Sequence, residues 1–171
     1  HPLICCLLQG VKFCNPPILK YSKLCDVNVV LNLFISWPDN NDLSLKMLSA
    51  IRTMLLCLIS IKRISDVRAL DITSRQFTLT GGLFSVHRRT KTTISNVFYP
   101  YFHGQPKLCV GQCLKVYKQK TSDLRMSLYS QLLISFRKPH KPVSSPTMAR
   151  WVRWIMSLAG IDNSVFSAHS S

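Results

Sequence analysis

The chain has 171 residues, of which 47% are hydrophobic, so it is long enough to form one globular domain with a buried core. Lysine and arginine outnumber aspartate and glutamate by 22 to 7, which gives a formal net charge of +15. So few carboxylates argue against a two-metal carboxylate site, and the excess of positive charge favours a polyanionic partner, with nucleic acid as the first candidate.

Other classes of protein fit the sequence less well. An anionic membrane surface is the alternative partner, but no basic amphipathic helix with a Trp/Phe face is visible. The longest apolar run, Met54 to Ile61, is too short to cross a membrane. The seven cysteines include no C-x-x-C pair and suit buried free thiols in a reducing compartment. Cys109 and Cys113 have one-turn helical spacing, but a zinc site would need distant histidines, so we expect no metal and no cofactor.

The first part of the chain predicts a connector followed by two helices. Residues 1–24 contain a short apolar stretch and then Pro16 and Pro17, which we interpret as the end of an upstream domain and its linker. Apolar residues recur at helical spacing from Asp26 to Trp37, with Asp26 as the N-cap. The same spacing continues from Asp42 to Ile61 and predicts the central helix of the core.

A short helix is predicted from Ser65 to Leu70, with Ser65 as its N-cap and Asp66 in its first turn. Arg63 stands directly before it. Because a helix N-terminus offers free N–H groups and a partial positive charge, we expect an anion site there. The alternative is a surface arginine paired with Asp66 three residues on.

The remainder alternates between strand and helix patterns. Two strands are predicted around a turn at Gly81 and Gly82, and a third follows at Ile94 to Phe98. Later elements are a helix at Leu108 to Lys120, an extended piece at Leu132 to Phe136, an irregular Pro-rich stretch at Lys138 to Pro146, and a helix at Thr147 to Ala159 ended by Gly160. This order predicts a mostly α, α+β domain with a small three-stranded antiparallel sheet.

Several segments resemble, in the expected order, the catalytic domain of the tyrosine recombinases, which are phage-integrase-like enzymes of DNA strand exchange. The phrase Arg-Ile-Ser-Asp-Val-x-Ala-Leu from Arg63 is similar to the family's first catalytic-arginine segment. The other similar segments are residues 20–31 at the start of the domain, 89–92 in the lysine-bearing hairpin, 136–143 with Trp151 and Val152, and 159–171 on the approach to the His-x-x-Arg box. The segment 136–143 is most similar to recombinases of eukaryotic mobile elements of the DIRS and Crypton type.

The resemblance implies a fold, a reaction and a set of residues. In this family a tyrosine attacks a DNA phosphate, which gives a 3′-phosphotyrosyl link and a free 5′-hydroxyl. Arginines and a histidine stabilise the negative charge of the transition state, and a lysine protonates the leaving oxygen. Arg63, Lys91 and His169 match the first arginine, the lysine and the histidine, and Asp66 is expected to orient Arg63. Arg89, or a shifted register, could replace Lys91, and His169 could be a plain terminal histidine.

The resemblance further implies double-stranded DNA as the partner, self-association on DNA in a longer parent, no membrane, and a nuclear location if the source is eukaryotic. The residues expected to contact DNA are Arg88, Arg89, Lys138, Lys141 and Arg150. Residues 25–171 are expected to be a C-terminally incomplete catalytic domain, inactive alone because the second arginine and the tyrosine nucleophile are missing. The rival interpretation is a non-catalytic remnant of a mobile element that binds DNA or another protein.

Overall fold

The structure is a computed structural model that describes residues 26–60, 63–73, 76–78, 80–85, 96–101, 104–126 and 128–163. These residues form a mostly helical α+β fold, as predicted. Its elements are α1 (Val27–Ser36), α2 (Leu45–Ser60), α3 (Ile64–Arg68), β1 (Gln76–Phe77), β2 (Gly81–Ser85), β3 (Asn96–Pro100), a 3₁₀ turn (Pro106–Leu108), α4 (Val110–Thr121) and α5 (Ser145–Leu158). Across the described ranges, none of the helices combines the length and apolar character that a membrane crossing requires.

Helix α1 begins where its cap was predicted. The Asp26 carboxylate accepts a hydrogen bond from the Asn28 N–H at 2.9 Å, which satisfies one of the free donors of the first turn. Val30 and Phe34 lie one turn apart on the buried side. The helix ends at Ser36, and Pro38 cannot continue it.

Helix α2 is the centre of the core and packs against α4, α5 and β3. It begins at Leu45, three residues later than predicted, because Ser44 provides the cap: its hydroxyl accepts from the Met47 N–H at 3.3 Å. Nine consecutive residues of this helix, 48–56, are buried. A helix buried on nearly every side over this stretch must be covered by several other elements.

The predicted cap of α3 is wrong. Arg63, in extended conformation, is the N-cap residue, and its carbonyl accepts from the N–H groups of Asp66 and Val67. Ser65 lies inside the first turn instead. The helix is anchored by Ile64 and Val67, which are buried, and this apolar pair rather than the serine hydroxyl decides where the helix starts.

The sheet is antiparallel with strand order β1-β2-β3, and β1 contributes only two residues to it. The turn was predicted at Gly81 and Gly82, but both glycines are buried in β2. The chain reverses before them, where the Thr78 hydroxyl accepts from the Gly81 N–H at 3.2 Å and the Thr78 N–H donates to the Gly81 carbonyl at 2.8 Å. A threonine side chain therefore closes the turn that the two glycines suggested.

The last helix follows an irregular segment, as predicted, but starts two residues early. Ser144 caps α5 by accepting from the Thr147 N–H at 3.4 Å, and Pro146 lies in the first turn, where a missing N–H has no cost. Gly160 has a φ of 73°, which confirms its predicted role at the end of the helix.

Candidate nucleic-acid interface

Arg63 is exposed at the start of α3, immediately beyond the buried helix α2. Its side chain makes no capping hydrogen bond, and the guanidinium forms no hydrogen bond or ion pair with any other described residue. The alternative pairing of Arg63 with Asp66 is therefore not formed in this structure. The Asp66 carboxylate likewise accepts no hydrogen bond from the Arg63 guanidinium, so its orienting role stays a prediction.

Helix α3 is fixed to the segment that precedes α5. The Arg68 Nε donates to the Val143 carbonyl at 3.2 Å, and Ile64 and Val67 are buried where α3 packs against α5. Val143 in turn donates its N–H to the Leu133 carbonyl at 3.2 Å. These contacts place the C-terminal end of α3 beside Val143, which follows residues 135–141 in the chain.

Residues 135–141, which we call the basic loop, form a loop whose two ends are hydrogen-bonded to each other. The Ser135 N–H donates to the Lys141 carbonyl at 2.8 Å, and a bridge pairs Ile134 with Pro142. The Phe136 ring holds the loop on α5 through a contact with Trp151, with ring centroids 5.9 Å apart.

Three cations of the basic loop point to a polyanion. Lys138 and Lys141 are exposed, and neither side chain has a partner among the residues that the structure describes. The Arg137 guanidinium lies over the Phe136 ring at 5.8 Å from its centroid, and its charge also remains without a carboxylate there. Unneutralised cations on one short loop are the arrangement that phosphate groups bind.

Arg150, also predicted to contact DNA, lies one turn inside α5 and is exposed. Its Nη2 donates to the Thr147 hydroxyl at 3.0 Å, so part of its hydrogen-bonding capacity is used within the helix. Lys91, Arg88, Arg89 and His169 lie outside the described residues. The strands β2 and β3, which precede and follow residues 86–95 in the chain, pair with each other in antiparallel fashion.

His140 was missed by the sequence analysis, although it lies in the segment 136–143 that carries part of the resemblance. It has a φ of 54°, and its ring Nδ1 lies 2.9 Å from the Ser135 carbonyl. Its backbone N–H donates to the Arg137 carbonyl at 3.0 Å. The signal available in the sequence was a histidine between two prolines, since histidine adopts left-handed conformations more readily than most residues.

Several basic side chains are committed to the fold and cannot be counted toward an interface. Lys107 donates to the carbonyls of Ile35 and Trp37, and Lys120 donates to the Leu43 carbonyl at 2.7 Å. Arg125 donates to the carbonyls of residues 131 and 132. Lysines and arginines that satisfy backbone carbonyls support loops rather than ligands.

A zinc site gains no support from the described residues. Cys109 and Cys113 are buried, and within those residues no group of three or more histidine, cysteine or acidic side chains is placed to hold a metal ion. Burial raises the pKa of the Cys113 thiol to about 11, which keeps it protonated at neutral pH and makes it a poor ligand.

Comparisons of the chain with protein-family models, with curated proteins and with solved structures gave no match. The interpretation of this surface therefore depends on the residues of the chain itself.

Proposed function

We propose that this chain is part of the catalytic domain of a tyrosine recombinase of mobile-element type, an enzyme that breaks and rejoins DNA through a 3′-phosphotyrosyl intermediate. The observation that carries the proposal is the position of Arg63. It stands in the segment Arg-Ile-Ser-Asp-Val-x-Ala-Leu, exposed and unpartnered among the described residues, at the end of the most buried helix of the fold.

The placement of Arg63 suits a transition-state clamp. A guanidinium that is free of protein partners keeps all of its N–H groups for the non-bridging oxygens of a phosphate, where bidentate contacts are strong. The buried residues Ile64 and Val67 hold the backbone directly after it. Preorganisation of this kind is how donors stabilise developing charge without rearranging.

The basic loop supplies the second requirement, a surface for the DNA backbone. Lys138 and Lys141 belong to this loop, and Arg150 lies on the helix against which the loop packs. Under this proposal, Lys91 and His169 supply the proton donor and a further donor to the phosphate. The partner is duplex DNA, with self-association in a longer parent and a nuclear location in a eukaryotic host.

DNA binding by the chain is the first test. We expect weak binding to duplex DNA with little sequence preference, with an association constant that falls steeply between about 50 and 200 mM salt because several phosphates are contacted. Arg63→Ala should leave the free energy of unfolding within about 0.5 kcal/mol, as is typical of an exposed position, and should weaken DNA binding. Fluorescence anisotropy with a labelled duplex measures the affinity, and thermal denaturation measures the stability.

Lys118→Ala is the matched control, because Lys118 is exposed on α4, has no partner among the described residues, and its loss changes the net charge equally. Arg63→Ala should weaken binding more than Lys118→Ala. Equal losses would mean that Arg63 contributes only charge, and binding that is insensitive to salt would contradict the proposal as a whole. A collapse of stability in Arg63→Ala would make Arg63 a structural residue.

A further inference from the structure

His140 is held in one orientation by two features of the basic loop. Its φ of 54° lies in the left-handed region, which costs most side chains energy and which tertiary contacts must maintain. Its Nδ1 lies 2.9 Å from the Ser135 carbonyl oxygen. Together with the hydrogen bond from its own N–H to the Arg137 carbonyl at 3.0 Å, these contacts fix both the backbone and the ring.

The hydrogen bond at Nδ1 decides which ring nitrogen carries the proton. A carbonyl oxygen only accepts, so Nδ1 must donate and must be protonated. The other nitrogen, Nε2, has no hydrogen-bond partner among the described residues, and the side chain is partly exposed. Nε2 is therefore the ring position left for a ligand.

The charged residues in and around the basic loop determine whether an anionic or a cationic ligand is favoured at Nε2. The loop itself carries Arg137, Lys138 and Lys141, and α5 carries Arg150 and Arg153. Helix α3 carries Arg68 and, as the one carboxylate on these elements, Asp66. A ligand that approaches Nε2 thus enters a region of positive potential, which favours an anion.

We propose that Nε2 of His140 donates a hydrogen bond to a phosphate oxygen of duplex DNA bound along the basic loop, and that the imidazole takes up one proton when it does so. A phosphate oxygen accepts only, so a ring whose Nδ1 already donates must be doubly protonated to make this contact. The inference rests on the proposed function. It adds a DNA-contacting residue that is not among those that the resemblance implies.

A purely structural role for His140 predicts different behaviour and can be separated by substitution. Asparagine also tolerates the left-handed conformation, and its side-chain amide can donate to the Ser135 carbonyl from nearly the place of Nδ1. It has no group at the place of Nε2. His140→Asn therefore preserves the turn and its hydrogen bond while removing only the proposed contact.

The experiment compares DNA affinity of the full chain and of His140→Asn at pH 6 and pH 8 at one ionic strength. We expect about a tenfold loss of affinity for His140→Asn at pH 6, since a hydrogen bond to a charged group is lost, and a smaller loss at pH 8, because the doubly protonated ring that the contact requires is disfavoured as the pH rises. Thermal denaturation should show that the variant keeps its stability. If its fold is damaged, His140→Gly, which suits the same φ, replaces it with the same expectation.

The outcomes separate this inference from the proposed function. If the wild-type chain binds DNA and His140→Asn binds equally at both pH values, the contact at Nε2 is overturned and the proposed function stands. If the wild-type chain binds no DNA and Lys138→Ala behaves the same, the proposed function fails and this inference fails with it. A loss of affinity that is equal at pH 6 and pH 8 would contradict the proton uptake and therefore the phosphate contact as stated.

Discussion

Arg52 is a charged residue in the middle of the core. Its side chain is 0% exposed, and its guanidinium lies over the Tyr117 ring at 3.6 Å from the centroid. In the part of the chain that the structure describes, none of its three nitrogens has a hydrogen-bond partner. Burial lowers its pKa to about 10, so it remains positively charged at neutral pH. Burial also raises the pKa of Cys113 to about 11, and that of Tyr99 to about 12, so these neighbours supply no negative charge at neutral pH. The stacking contact offsets only part of the cost of desolvation.

Replacing Arg52 with an apolar side chain of similar length should therefore not weaken the fold. For Arg52→Met we expect the free energy of unfolding to be unchanged or raised by up to about 2 kcal/mol, because an uncompensated buried charge is removed and the volume is kept. Arg52→Ala, the control, should lower it by about 2 to 4 kcal/mol because a cavity is left. Chemical denaturation measures both. A clear loss of stability in Arg52→Met would show that the guanidinium has an acceptor.

The contrast between Arg52 and Arg63 shows which single residues the sequence allows one to predict. The exposed Arg63 was predicted because a short motif surrounds it. No motif surrounds Arg52, which lies just before the apolar run Met54 to Ile61, four residues after the buried Leu48 and on the same side of α2. A pattern of apolar residues cannot predict that an arginine inside it is buried, because the compensating contact with Tyr117 comes from a helix more than sixty residues later.

Among the elements, the loop between α1 and α2 depends on lysines from a distant part of the chain. Lys107, just before α4, donates to the carbonyls of Ile35 and Trp37 at 3.0 and 2.6 Å, and forms a salt bridge with Asp39 at 3.8 Å. Lys120, near the end of α4, donates to the Leu43 carbonyl at 2.7 Å. The two lysines fasten both ends of this loop to α4 and its preceding turn.

Substitution of Lys120 tests this role. Lys120→Met keeps the length of the side chain but removes the donor, so the Leu43 carbonyl loses its partner and the free energy of unfolding should fall by about 1 to 2 kcal/mol. Lys118→Met, two residues away and exposed, should change it by less than about 0.5 kcal/mol. Both are measured by urea denaturation. Equal effects of the two substitutions would mean that the loop does not need the lysine.

The elements were easier to predict than their ends. The spacing of apolar residues predicted α1, α2, α4 and α5, because burial on one side or on all sides determines that spacing. The errors arose at the turn near Thr78, where a side-chain hydroxyl replaced the expected glycines, and at α3, where the buried Ile64 moved the cap from Ser65 to Arg63. Both depend on contacts that short-range patterns do not contain.

For the molecule as a whole, the proposed function predicts that these 171 residues are catalytically silent. No tyrosine follows His169 in the sequence, and the five tyrosines present all precede it. A site that works as one electrostatic unit loses nearly all of its activity without its nucleophile. A nicked suicide DNA substrate, which traps the covalent phosphotyrosyl adduct, should give no shifted band with this chain on a denaturing gel.

A longer parent that supplies the second arginine and the tyrosine should form the adduct, and its Arg63→Ala variant should not. An adduct formed by the 171 residues alone would overturn the assignment, because it would require a nucleophile that the resemblance does not provide. If the longer protein also forms none, a non-catalytic remnant that binds DNA becomes the better account. The sequence alone predicted this assignment from motif order, whereas the spatial relation of Arg63 to Lys91 and His169 depends on residues outside the described ranges.

The three tryptophans all lie on α5 or against it, so the protein's intrinsic tryptophan fluorescence reports on one part of the fold. Trp37 and Trp154 lie with ring centroids 6.3 Å apart between α1 and α5, Lys46 lies 4.5 Å from the Trp154 ring, and Trp151 contacts Phe136 of the basic loop. Since the chain contains no other tryptophan, its tryptophan emission reports on α5 and the elements around it, and the strands of the sheet contain no tryptophan. Detachment of α5 would shift the emission to longer wavelength, and a ligand seated on the basic loop would alter it through Trp151 without any added label.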